Sequence, residues 1–215
     1  MRKSIAIVPV REFEDTKLRL KTILAPKQRG ELTKKLLQGV LAGIEASRVS
    51  RVIVVATDPT LVRGMPSAFQ KMQVIRESIL HGGVNSAMRD GLSVISDQGY
   101  ESVLLMPSDL PLITAEALNK VLQLLDSYDL LINAACKLDG TSLLAFNLSK
   151  PPIPLHYDDD SFRQHVEEAR KQGFHFRVLD MIEFSHDVDS TEDIESLMKR
   201  TRAESFEDML ARLGK

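Results

Sequence analysis

The segment Val103-Leu104-Leu105-Met106-Pro107-Ser108-Asp109-Leu110-Pro111-Leu112 constrains this chain more than any other. An apolar run ends abruptly in a single carboxylate boxed by two prolines. A run of this length bounded by turn residues reads as a buried strand of a parallel sheet. Pro107 has no N–H for a ladder, so pairing stops there and the chain turns outward. Asp109 is thereby placed just past the carboxyl end of a central strand, the edge at which open α/β sheets bind their ligands. Two roles fit it: a ligand to a divalent metal held against phosphate oxygens, or a cap of the turn before the next helix.

Strand-like and helix-like patterns alternate along the rest of the chain. That alternation predicts an α/β fold, a three-layer, mostly parallel sheet with helices on both faces. Strands are expected at 5–10, 51–57, 73–76, 103–106, 130–135, 142–147 and 174–179. One helix carries the apolar stripe Leu32, Leu36, Leu37, Val40 and Ile44. A short helix over 60–71 is interrupted near Gly64 and Pro66, and a further helix covers 84–96. Thr114 serves as N-cap for a helix through Asp126. Residues 160–172 form a helix stopped by Gly173, and the chain from Ser190 onward is largely helical.

A length of 215 residues suits a single domain, 1–215, with 200–215 as a C-terminal helical extension. The formal net charge of −2 gives no electrostatic footprint for nucleic acid or for an acidic membrane surface. The N-terminus begins basic and turns apolar, but only for about six residues, too short for a secretory leader. No segment approaches the roughly 20 apolar residues of a membrane span. The only cysteine, Cys136, excludes an internal disulfide and lies in an apolar stretch, which predicts a buried structural thiol. A cytoplasmic protein is expected. Phe206, Met209, Leu210 and Leu213 recur at helical spacing and either pack on the sheet or form a homodimer contact.

Four places pair suitable residues with the ligand-binding edge. The loop after the first strand, Pro9-Val10-Arg11 through Thr16-Lys17-Leu18-Arg19, supplies three cations for a polyphosphate. It is not a glycine-rich phosphate loop, since no glycine precedes Gly30. The turn His81-Gly82-Gly83 runs into a helix start whose N–H groups attract anions, with Asn85 able to read a base edge or ribose. Asp109 is the third place. The fourth is Asp187-Val188-Asp189, whose aspartates face one way if the segment is extended. The competing reading there is a helix started by Asp189 or Ser190, with Glu192 or Asp193 completing a capping box. The same string matches the D-x-D-x-T of aspartyl-phosphate phosphatases, but it lies at the wrong end of the chain for that chemistry. Asp158-Asp159-Asp160 reads as a helix N-terminus favoured by the dipole.

In their order and spacing these pieces resemble the guanylyltransferase family that makes coenzyme F-420 by attaching GMP to 2-phospho-L-lactate, or in relatives to phosphoenolpyruvate or 3-phosphoglycerate. The matching residues are Val8-Pro9-Val10-Arg11, Thr16-Lys17-Leu18-Arg19-Leu20, Asn85-Ser86-Ala87 and Asp109-Leu110-Pro111-Leu112. They continue with Asp139-Gly140-Thr141, Ser161-Phe162-Arg163-Gln164-His165, Gly173 and Asp187-Val188-Asp189-Ser190-Thr191-Glu192-Asp193. They run from residue 5 to about 197, and 202–215 lies beyond them. The resemblance implies a glycosyltransferase-A-like nucleotidyltransferase fold and a Mg2+ ion on Asp109, Asp187 and Asp189. It further implies that Lys17 and Arg19 hold the triphosphate of GTP and act in catalysis with Asp109. Pro9, Val10, Arg11, Asn85 and Ala87 would line the nucleotide, and Thr141 and Ser161 would bind the carboxylate end of a small phosphorylated acid. Two departures fall at the acceptor: Asp139 and Asp158 each stand where the family usually has glycine. Alternatives are a sugar-nucleotide-dependent glycosyltransferase on the same sheet, or a nucleotide-binding subunit without catalysis.

Overall fold

Strands β1 (Ser4–Val10), β2 (Arg51–Ala56), β3 (Met72–Arg76), β4 (Ser102–Leu105), β5 (Leu130–Ala134), β6 (Thr141–Asn147) and β7 (Phe176–Leu179) join in one sheet of order β3-β2-β1-β4-β6-β5-β7. The computed structural model describes residues 3–11, 13, 17–79, 82–136, 140–203, 205, 208 and 209. Every ladder is parallel except the two made by β6, which runs antiparallel to β4 and to β5. The connection from β5 to β6 is too short for a crossover, so these neighbours can only pair antiparallel.

The β-branched strands bury both faces, and the period of two assigns each face its helices. Ala6, Val8, Val52, Val54, Leu104 and Leu131 pack under α1 (Pro26–Ala46) and α3 (Ala115–Leu124). Ile5, Ile7, Ile53, Val55, Leu105, Ile132 and Phe146 pack under α2 (Gly83–Ile95) and α4 (Ser161–Lys171). This is the expected three-layer architecture. Gly91 lets α2 approach β1 closely: a Cβ there would stand 2.5 Å from Ile7 Cγ2.

A third apolar cluster fixes the functional end of the molecule. Leu20 and Leu24, following the first strand, meet Leu32 and Leu36 of α1. Val188 joins them, with Ile194 and Leu197 of α6 (Thr191–Thr201) and Met209. Burial of these side chains, at about 1.5–3 kcal/mol each, ties the loop after β1 to a segment some 170 residues later. Met209 is fully buried, so the C-terminal segment packs on its own chain there. Phe206, Leu210 and Leu213 lie outside the described residues, as do Thr16, His81 and Asp139.

Several expectations need correction. Residues 60–71 form no α-helix but two 3-10 turns, Pro59–Val62 and Met65–Ser67, separated by Gly64 at φ +84°; the glycine and proline leave no room for a full α-helical segment. Cys136 is exposed rather than buried, because the chain has already left β5 when it reaches it. The 187–189 segment is not a sheet strand. No described helix is long and apolar enough to cross a membrane.

Candidate active site

Strand β1 has β2 on one side and β4 on the other. The chain proceeds from β1 to β2 and β3 and then returns across β1 to β4. The carboxyl ends of β1 and β4 therefore flank the topological switch point, where the sheet leaves a crevice. The ladder between them ends at Ile7 and Leu105, so Pro9 and Pro107 remove no rung from it.

Lys17 and Asp109 meet across this crevice. Lys17 Nζ donates to Asp109 Oδ2 at 2.9 Å and to Asp189 Oδ1 at 3.2 Å, and also to the carbonyl oxygen of Val188. Its side chain is 4% exposed. Burial disfavours this ammonium, but Asp109 and then Asp189 outweigh it and hold its proton above the usual lysine range. The backbone of Lys17 is left-handed, at φ 54° and ψ 41°, a strained state for a side-chain-bearing residue that accumulates at working sites.

The packing of Leu20 and Val188 explains how this contact forms. Val188 points into the third cluster, so the residues on either side of it turn outward. Both Asp187 and Asp189 line one cleft of about 590 Å³ with Arg19, Ala135, Gly140, Tyr157, Asp158, Asp159, Asp160 and Asp193. Burial, then Asp109 and Asp189, push Asp187 up to about 6. The capping box is also real: Ser190 Oγ accepts from the N–H of Asp193, and Asp193 Oδ2 accepts from the N–H of Ser190. Ser190 and Asp193 start α6, which leaves Asp187 and Asp189 to the cleft.

Asn133, which carried no sequence-based role, holds this segment in place. It is fully buried in β5, donates to Ser185 Oγ at 3.0 Å and accepts from the N–H of Met181 at 3.0 Å. The N–H of Cys136 donates to the Ser185 carbonyl at 2.8 Å. These bonds fix α5 (Ile182–Ser185), which ends two residues before Asp187. An amide inside the apolar run Leu130-Leu131-Ile132-Asn133-Ala134 was the available signal.

The remaining residues sort as follows. Arg11 is exposed, with its guanidinium against Gly83 at the start of α2. The side chains of Val10 and Ala87 are in the two cores, so only their backbones can face a ligand. Asn85 Nδ2 donates to Asp158 Oδ2 at 2.9 Å, and Asn85 Oδ1 accepts from the N–H of Tyr157 at 2.8 Å. The Asp158–Asp160 run is no simple cap: Asp160 flanks α4 in a left-handed conformation, makes no side-chain cap, and pairs with Arg163. Thr141 and Ser161 are joined, the Thr141 N–H donating to Ser161 Oγ at 2.7 Å.

Among the described residues no three His, Cys, Asp or Glu side chains form a closed cage for an ion; Lys17 stands between Asp109 and Asp189 instead. The donor set nevertheless suits a hard divalent cation. Asp109, Asp187, Asp189 and the Val188 carbonyl offer only oxygen, and their present counter-charge is an ammonium.

The crevice at the switch point, with clustered carboxylates beside it, marks an α/β protein that takes its ligand at the carboxyl edge of the sheet. Two solved structures share the fold: one described as a nucleotide-diphospho-sugar transferase from Desulfovibrio desulfuricans G20 (TM-score 0.79, 23% identity, covering 99% of this chain and 94% of that one), and a nucleotidyl transferase from Methanothermobacter thermautotrophicus (TM-score 0.65, 13% identity, 93% and 98%). The chain belongs to the family described as "Guanylyl transferase CofC like", whose model matches residues 4–214. That match takes in the C-terminal segment, which the motifs alone had left outside. A 2-phospho-L-lactate guanylyltransferase of Methanocaldococcus fervens is 30% identical over 87% of this chain and 81% of its own length. A 3-phospho-D-glycerate guanylyltransferase of Phenylobacterium zucineum is 31% identical over 96% and 97%. A phosphoenolpyruvate guanylyltransferase of Rubrobacter xylanophilus is 29% identical over 89% and 92%.

Proposed function

We propose that the protein transfers GMP from GTP to the phosphate of 2-phospho-L-lactate, with Mg2+, forming lactyl-diphospho-guanosine and releasing pyrophosphate. The observation that carries this reading is the Lys17 ammonium held between Asp109 and Asp189 at the switch point. An acceptor phosphate oxygen attacks the α-phosphorus of GTP in line, and the bond from that phosphorus to the bridging oxygen of pyrophosphate breaks. No protein nucleophile is needed, because the acceptor is already an anion. The obstacle is repulsion between anions, which fixed positive charge must offset.

In this reading Asp109, Asp187 and Asp189 hold the metal, which when bound supplies positive charge to the oxygens around the α-phosphorus. Lys17 and Arg19 bind the departing phosphates. Arg11, beside the N-terminus of α2, reaches the same anion, and the backbone of Pro9, Val10 and Ala87 borders the nucleoside. Asn85 acts through its bond to Asp158, at the boundary between nucleoside and acceptor. Thr141 and Ser161 take the acceptor carboxylate. Pyrophosphate release, measured for four nucleoside triphosphates against three phosphorylated acids, tests the reading: GTP with 2-phospho-L-lactate should be the fastest pair. Release of free GDP from a GDP-sugar without pyrophosphate would overturn it in favour of glycosyl transfer.

One observation favours a second acceptor. Asp158 places a carboxylate on the cleft wall, and it can accept a hydrogen bond from an acceptor hydroxyl. 3-Phospho-D-glycerate has such a hydroxyl, whereas 2-phospho-L-lactate and phosphoenolpyruvate have none. Under this reading Asp158→Gly lowers kcat/KM for 3-phospho-D-glycerate and raises it for 2-phospho-L-lactate. Equal changes for both acids would remove Asp158 from acceptor choice.

A further inference from the structure

His165 is fully buried in α4, and nothing in the reaction above uses it. Its two ring nitrogens have different partners. Nε2 lies 3.0 Å from the backbone nitrogen of His156, and Nδ1 lies 2.8 Å from Thr141 Oγ1. A backbone N–H can only donate, so Nε2 must accept and carries no hydrogen. A neutral imidazole has one N–H, which is therefore on Nδ1 and donates to the threonine oxygen. The edge-on ring of Tyr157, 5.2 Å away between centroids, packs the imidazole in this orientation.

This fixes the direction of a second hydrogen. Because Thr141 Oγ1 accepts from His165, its own hydrogen points to another group, and no described residue accepts it. Ser161 is in the same state: its Oγ accepts from the Thr141 N–H, and its hydrogen has no acceptor among the described residues. Gly140 and Asp160, the residues just before Thr141 and Ser161 in the chain, line the cleft; Thr141 and Ser161 themselves are buried, at 7% and 2% exposed. Two hydroxyl donors one residue behind the cleft wall match the two oxygens of a carboxylate.

We propose that His165 is a positioning residue for the acceptor: its Nδ1–H holds Thr141 as a hydroxyl donor toward the acceptor's carboxylate. The assignment of that ligand rests on the function proposed above; the tautomer does not. Consistent with it, burial and then His156 push the His165 proton affinity down, to about 4, so the ring stays neutral at working pH.

The test begins with 15N NMR of the full chain, which should show His165 protonated at Nδ1 and bare at Nε2. Hydrogen on Nε2 overturns the proposal whichever acid is turned over. Steady-state kinetics then compare three variants. His165→Asn keeps an N–H near the Nδ1 position and should leave acceptor KM within about threefold of wild type. His165→Gln and His165→Phe lack that donor and should raise acceptor KM about tenfold, the factor of one oriented hydrogen bond, with GTP KM unchanged. In a Thr141→Val background His165→Phe should add no further change to acceptor KM. A merely structural histidine predicts the opposite: equal losses for both substrates, no rescue by asparagine, and an effect that persists without the threonine hydroxyl. Absence of turnover with every phosphorylated acid, with the predicted tautomer present, would place the failure in the functional reading rather than in the histidine.

Discussion

Lys17 Nζ lies 2.9 Å from Asp109 Oδ2, joining the loop after the first strand to the turn after the fourth. Strand order brings their two segments together, since β1 and β4 are neighbours in the sheet although two other strands separate them in sequence, and the packing of Leu20 against Val188 holds the loop in place. The ammonium sits where the donor oxygens would otherwise face one another uncompensated. A divalent ion entering this site competes with it, and triphosphate offers the lysine a new partner.

Lys17→Met is therefore expected to separate metal binding from turnover. Without the ammonium, Asp109 and Asp189 lose their counter-charge, so Mn2+ binding in the absence of nucleotide should tighten by about tenfold, as read by electron paramagnetic resonance. Turnover should fall by about 10²–10³, the usual loss for one electrostatic stabiliser. Weaker Mn2+ binding in the variant would show that the lysine is not the competitor.

Asp109→Asn removes one charge without changing shape. Turnover should fall by on the order of 10²–10³ with the circular dichroism spectrum unchanged. Pyrophosphate release near the wild-type rate would exclude Asp109 as a metal ligand.

Asp109 was legible because local rules agree on it: an apolar run, a proline stop and a carboxylate point to one place at the sheet edge. The strands and the α1 stripe were legible for the same reason, since burial enforces their period. The 60–71 segment was not, because a glycine and a proline weaken any helix while leaving the alternative turn type undetermined. The bond made by Asp158 was not legible, because a carboxylate before a helix has a sufficient local explanation in the dipole. Only the distant Asn85 shows where it actually bonds. Asn133 and His165 acquire their roles from partners 48 and 24 residues away, and no local pattern encodes such contacts.

Gly91→Ala tests the contact between α2 and β1. Alanine improves helix propensity by about 1 kcal/mol. Against that, its Cβ would stand 2.5 Å from Ile7 Cγ2, and overpacking a close-packed core costs about 1–3 kcal/mol. Ile7 lies in a central strand and cannot withdraw, so the clash should prevail. The denaturation midpoint in urea is expected to fall with the m-value unchanged. A higher midpoint would mean that the helix stands farther from the strand than the structure places it.

The buried imidazole makes stability depend on pH. His165 takes up its proton at about 4 in the folded chain, against an ordinary value of 6.5. Between these values the unfolded chain binds a proton that the folded chain refuses, so stability rises with pH through this window and is lost as pH falls through it. The full effect is roughly 3 kcal/mol. Asp187 acts in the opposite sense, because its folded value is raised from 3.8 to about 6, which favours the folded state at low pH. The difference between wild type and His165→Asn isolates the histidine, since Asp187 is present in both. The wild-type advantage measured by urea unfolding should therefore shrink as pH is lowered from about 6.5 toward 4. A difference that does not change over this range would mean that His165 is not held neutral by burial.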